Sequence, residues 1–349
     1  MGLAQVSDLL VWGATTAFTI ALVAWTVEMS RVAEAAQRVR GTRQRELVAA
    51  GGAPSTGAPV AAEAPAADAP AAADAPAGQA RAEGIARSTT FLGLVLLLAG
   101  VVTRGLAAGR WPTANMYEFA IVGVLVAVAV LAVVQRRRTI AFLAVLVMGI
   151  AVLGLALALL VFHVQADEVQ PALDSYWLVL HVGVAIMATG VFTVAFATSV
   201  LQVLRDGRAT GRSHLERPWR SADGLRRWLH PLRVTGPRFA WLEQVPDARR
   251  LEALSFRLNA IAFVLWTFTL IGGAIWAEHA WGRYWGWDPK EVGTFVAWVV
   301  YAAYLHARTT RGWSGRRAAY FVYVGYAVVI ANFTVINLFV DGKHSYSGL

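Results

Sequence analysis

Apolar residues in this chain fall in blocks long enough to cross a lipid bilayer, and that feature restricts the fold more than any other. A membrane-spanning helix needs roughly 20 consecutive, mostly apolar residues. The blocks predict eight such helices, over about 8–30, 90–108, 116–135, 139–162, 175–204, 256–278, 289–308 and 317–340. The expected fold class is therefore an all-α polytopic membrane protein. Its apolar share, 57% of 349 residues, is above the level usual for soluble domains.

Charge orients the helices. RVAEAAQRVRGTRQR (31–45), QRRR (135–138), the 205–250 loop and ARTTRGWSGRR (307–317) follow helices one, three, five and seven of this count. Cytoplasmic loops carry the excess of Lys and Arg, so these four are expected in the cytoplasm. The N-terminus, the loop around Arg110, HVQADEVQPALD (163–174), WGRYWGWD (281–288) and the tail DGKHSYSGL (341–349) then face outward. The same placement accounts for the net charge of +9 without a nucleic-acid partner. The first apolar block lacks a basic leader and a clear small-residue cleavage site, so it reads as a retained helix. GGAPSTGAPVAAEAPAADAPAAADAPAG (51–78) is almost free of large side chains and cannot bury enough apolar surface to fold. The expected organisation is a helix at 1–30, a cytoplasmic disordered linker at 31–88 and a membrane domain at 90–349.

Chemistry concentrates on the outer side. Trp276, Trp281, Tyr284, Trp285 and Trp287 lie within twelve residues, with Gly282 and Gly286 between them. That density, with glycine permitting tight backbone paths, favours a shaped aromatic platform over a simple interfacial belt. Asp288-Pro289-Lys290-Glu291 reads as a helix start, with an Asp cap, Pro at the first position and a capping-box Glu. His163, His181, His279 and His344 reach the same level. A flat apolar face beside imidazoles suits a metal macrocycle, and haem iron takes axial imidazole. Its propionates need cations, and Arg104, Arg110, Arg283, Lys290 and Lys343 are all on or near that side; Lys290 and Lys343 are the chain's two lysines against 29 arginines. His306 lies 18 residues beyond Asp288, about 27 Å along a helix. It is either a favourable residue at a helix C-terminus or part of a second site. The chain has no cysteine, so any thiol chemistry must use thiols from another molecule.

WAEHAWGRYWGWDPKE (276–291) followed by VAWVVYAAYLHAR (296–308) closely resembles the tryptophan-rich WWD signature of haem-handling cytochrome c assembly proteins. NMYEFA (115–120), PALDSYWLVLHVGVA (171–185) and LFVDGKHSYSGL (338–349) fit the same pattern in order. Within that group the chain is similar to the CcsA/ResC type of system II, called CcsB in actinobacterial naming. The resemblance runs from about residue 90 to the end. It implies that His181 and His344 supply the axial imidazoles of an outward-facing haem b, that the Trp276–Asp288 stretch is its platform, and that His306 serves an inner haem. It also implies a CcsB/ResB-type partner, an apocytochrome c CxxCH segment as acceptor, a place in the cytoplasmic membrane and a part in holocytochrome c synthase. A haem carrier without ligation activity and a non-haem solute transporter are the competing readings.

Overall fold

The computed structural model describes residues 2–51, 77–136, 140–166, 175–219, 221 and 223–343. Among them it is helical throughout, with α1 (Leu3–Gly51), α2 (Ala77–Ala108), α3 (Met116–Gln135), α4 (Ala141–Leu160), α5 (Tyr176–Ala209), the short α6 (Asp223–Leu229), α7 (Ala248–Trp281), α8 (Pro289–Thr310), α9 (Arg316–Phe333) and α10 (Val335–Phe339). Local chemistry sets the ends. Asn115 Oδ1 accepts the Glu118 N–H to start α3, and Asp247 Oδ1 accepts that of Arg250 to start α7. α7 stops at Gly282, which takes the left-handed conformation (φ 68°) that glycine adopts at little cost.

Seven of the eight expected spans are long and apolar enough to cross a membrane. α8 matches its expected bounds and has the length, 22 residues, but Lys290, Glu291, His306 and Arg308 dilute its apolar stretch. Those charges serve its two ends: Lys290 and Glu291 belong to the cap, and Arg308 pairs with Glu252. The expected linker is shorter than 31–88. α1 runs on through Gly51 because 31–50 is Pro-free and rich in Ala, Glu, Gln and Arg, all good helix formers, and α2 begins at Ala77. The Ala/Pro-rich centre, 52–76, lies outside the described residues.

α5 forms the spine of the bundle. It packs on α7, α3 and α9, while α1 packs on α2 and α4. Small residues let these helices approach closely. Polar groups buried on the spine find partners within the bundle: Ser199 Oγ meets Ser255 Oγ at 2.7 Å, and Thr193 Oγ1 meets the Tyr326 hydroxyl at 3.0 Å. Phe192 stacks on Tyr301 with ring centres 3.9 Å apart. Contacts sort the connections into two ends. One gathers Asp8, Arg104, Glu118, His163, His181, Trp276, Asp288 and Lys343. The other gathers Asp206, Glu252, Arg308, Gly315 and Arg316.

At the α3–α5 crossing a Cβ on Gly190 would sit 2.6 Å from Val126 Cγ1 and 3.1 Å from the Ala127 backbone nitrogen. Gly190→Ala is therefore expected to destabilise the bundle by about 1–3 kcal/mol in denaturant unfolding of the detergent-solubilised protein. Gly149→Ala, with nothing within 4 Å of the added carbon, is the matched control and should leave the midpoint in place or raise it.

Candidate functional site

A cleft opens at the tryptophan-loop end. The Thr113–Met116 turn, the first half of α5, the last part of α7, the start of α8 and the end of α9 enclose it, with His181, Trp266, Trp276, Lys290, Asn332 and Phe333 among its walls.

His181 sits one and a half turns into α5 and is half-buried. Its Nδ1 lies 2.8 Å from the carbonyl oxygen of Thr269. A carbonyl only accepts, so Nδ1 carries the proton and Nε2 the lone pair. That tautomer is the one a metal-ligating imidazole adopts when its other nitrogen is held by a backbone carbonyl. The ring lies parallel to that of Trp276, at 7° and 6.3 Å between centres. Gly273 makes room for it, because a Cβ there would be 2.7 Å from His181 Cε1.

The expected platform divides into two pairs of rings. Trp276 is buried and meets Trp281 edge to face at 4.9 Å and 69°. Trp285 meets Trp287 at 5.8 Å and 85°. Tyr284 (63% exposed) and Trp287 (78%) face outward, and of the five rings Trp276 alone lines the cleft. The loop is stepped because Trp287 takes φ 59°, the one positive φ at a non-glycine among the described residues. A bulky residue is strained there. Glu291 Oε2 holds the strain in place by accepting the N–H groups on either side, Gly286 at 2.8 Å and Asp288 at 3.1 Å.

Asp288 ties loop, helix and tail together. Its Oδ1 accepts the Lys290 N–H at 2.9 Å and its Oδ2 the Lys343 N–H at 2.6 Å. A Cβ on Gly342 would fall 2.7 Å from Oδ2, so the tail passes where a side chain cannot. The Lys343 ammonium lies 5.2 Å from the centre of the Trp281 ring, a cation–π contact. His344 follows directly but lies outside the described residues.

The other expected residues are placed differently. Arg104 and Arg110 do not enter the cleft. Glu118, fully buried on α3, accepts Arg104 Nε at 3.1 Å and Arg110 Nη1 and Nη2 at 2.7 and 3.1 Å, together with the Ala114 N–H at 2.9 Å. This cluster shapes the Thr113–Met116 wall. Arg283 is exposed and lies over Gly286. His163 pairs with Asp8 at 3.1 Å, and His279 is exposed with Nδ1 on the Ile275 carbonyl. His306 is exposed on α8, remote from the cleft. Sequence reading missed Thr269, Glu118, Asn332 and Asn337. The signal it had was polar residues inside apolar segments, which mark function or buried pairing in membrane helices.

The family model described as cytochrome C assembly protein matches residues 113–344, a span that contains every wall of the cleft. The chain belongs to the cytochrome c assembly family. Within it the chain is of the CcsA type. The cytochrome c biogenesis protein CcsA of Synechococcus sp. (strain CC9902) is 34% identical over 271 residues, covering 75% of this chain and 86% of that protein. That of Prochlorococcus marinus (strain MIT 9515) is 31% identical over 274 residues, covering 76% and 85%. A solved structure, Cytochrome c Heme Lyase CcmF, superposes with a TM-score of 0.58 at 15% identity over 95% of this chain. This CcsA-type chain spans 47% of that longer one, and the likeness is one of fold. The α1–α2 hairpin precedes the matched region, yet Asp8 on α1 reaches His163 and the Tyr117 hydroxyl beside Glu118.

Removing Glu118 takes the carboxylate away from two guanidinium groups, one of them fully buried. Glu118→Ala is expected to cost about 3–5 kcal/mol. Hydrogen exchange at Trp111–Asn115 should speed up more than exchange at the α5–α7 core. Unchanged exchange at that turn would show that the cluster does not hold the wall.

Proposed function

We propose that this chain is the membrane subunit of a system II cytochrome c synthase, carrying haem to the outer face of the cytoplasmic membrane and presenting it to the CxxCH segment of apocytochrome c. The observation that supports this most is the prepared imidazole. His181 is held at Nδ1 by the Thr269 carbonyl, beside a parallel indole, in the wall of the cleft. The residues fit haem: an imidazole for the iron and apolar walls from Trp266, Trp276, Phe119 and Phe333.

In this reading His181 on α5 and His344, which follows Lys343 in the tail, would ligate the haem iron. Trp276, at the foot of the tryptophan loop, would pack beside the bound ring. Bound haem supplies two vinyl groups, and each accepts one thiol of CxxCH across its double bond, the sulfur and the hydrogen both coming from the acceptor chain. The absence of cysteine here accords with thiols that arrive on that substrate. The chain's own contribution is positioning, which converts a bimolecular encounter into a directed one. The arginine-rich loops support the assignment of the tryptophan loop to the outer side. His306 faces out of the bundle on α8, so an inner haem held there takes its second ligand from a CcsB/ResB-type partner.

Two variants test the reading in the complex purified with its partner. His181→Ala should lower outer haem occupancy, read from the Soret band, and added imidazole should restore part of it. His306→Ala should deplete the outer site as well, by acting upstream. Unchanged spectra and cytochrome yield in both variants would refute the ligand assignment, and a colourless wild-type complex under ample haem would refute the function.

A further inference from the structure

Lys290 places its ammonium on the cleft wall with no carboxylate within ion-pairing distance among the described residues. Its Nζ donates to the main-chain oxygen of Asn332 at 2.9 Å and to Asn337 Oδ1 at 2.6 Å, both neutral acceptors. Among the described residues no carboxylate pairs with it and no third acceptor is present. The oxygens of neighbouring Asp288 already receive the Lys290 and Lys343 main-chain N–H groups. An ammonium has three donors, so one N–H remains. A partly buried cation among apolar walls is costly until an anion joins it.

The other cations on this side are differently used. Arg104 and Arg110 are spent on Glu118, Arg283 is exposed beside Gly286, and the Lys343 ammonium rests over Trp281 outside the cleft. Asn337 is itself fixed, since its Nδ2 donates to the Phe333 carbonyl at 2.8 Å. The ammonium is thus held by two oriented acceptors at the α8–α9 wall.

We infer that Lys290, positioned by Asn332 and Asn337, is the carboxylate anchor of the cleft, binding a propionate of the tetrapyrrole and so fixing which edge of the ring enters. The inference rests on the haem reading above and adds an orientation to it. Haem carries its propionates on two adjacent pyrroles and its vinyl groups on the other two. Holding the propionate edge at α8 keeps the vinyl-bearing half on the far side of the ring from Lys290, where the acceptor thiols must reach it. A lysine suits this task because it offers a compact point charge to one oxygen, where arginine would bring a wide planar fork.

The test uses the full chain with its partner subunit, titrated in detergent with haem and with haem dimethyl ester, whose carboxylates are blocked. Soret absorbance reads binding. The wild type should bind haem about tenfold more tightly than the ester, the order expected of one charge-assisted hydrogen bond. Lys290→Gln should lose that preference by weakening haem binding while leaving the ester unchanged, and Lys290→Arg should keep part of it. Equal binding of both pigments by the wild type overturns the anchor and leaves the haem site standing, and this arm needs no variant to fold. A preference that survives in Lys290→Gln overturns it equally. Failure of the wild type to bind either pigment sinks the haem reading, and the anchor with it.

Discussion

Both oxygens of the Asp288 carboxylate are committed to backbone N–H groups, and the loop end of the molecule is organised around them. One oxygen starts α8 and the other grips the tail at Lys343. Glu291 answers from the first turn of α8 by accepting the N–H groups of Gly286 and Asp288. This reciprocal cap keeps Trp287 in its strained left-handed conformation and steps the loop into two perpendicular pairs of rings. Charged acceptors make stronger hydrogen bonds than neutral ones, so one short motif fixes the start of a helix, the course of a loop and the approach of a tail 55 residues away in sequence.

The opposite wall of the cleft is set by a costlier device. Glu118 has no exposure and gathers two guanidinium groups and a backbone amide. Burying ions is expensive, and such a cluster stands only when its members are well paired. Arg104 also donates to the Val164 carbonyl at 2.7 Å and lies over the Tyr117 ring. Tyr117 and His163 both reach Asp8. The wall is thereby tied to α1, which lies outside the family-matched region. Rigidity at this turn and at Asp288 leaves the cleft with defined edges, as positioning of a bound ligand requires.

Between these anchors the α5 spine supplies stiffness through small buried residues and short side-chain hydrogen bonds. His181 lies near its start, opposite Gly272 and Gly273 of α7. A bulkier α7 face would displace the imidazole from the Thr269 carbonyl. The site thus depends on the same close helix packing that stabilises the bundle.

Much of this was legible in the residues. Apolar block length gave the helices, since a span must be about as long as the bilayer is thick, and α3 fell where 116–135 was expected. Asp288, Pro289 and Glu291 announced their capping box because capping is local chemistry within three residues. The order of the Trp, His and NMYEFA blocks gave the family, later matched over 113–344. The extent of α1 was misjudged because an Ala/Pro composition was extended over a Pro-free stretch. Which cation faces the cleft was not legible. Five candidates had the same sign, and only packing assigns Arg104 and Arg110 to Glu118 and Lys290 to Asn332 and Asn337. The tautomer of His181 was equally hidden, because Thr269 lies 88 residues away and acts through a carbonyl that every residue owns. Sequence by itself determined the helices, their caps and the kinds of groups at one end of the bundle, since these follow from composition and short-range chemistry. Tertiary structure decided which of those groups meet, because distance in space between helices is set by side-chain packing that no local pattern encodes.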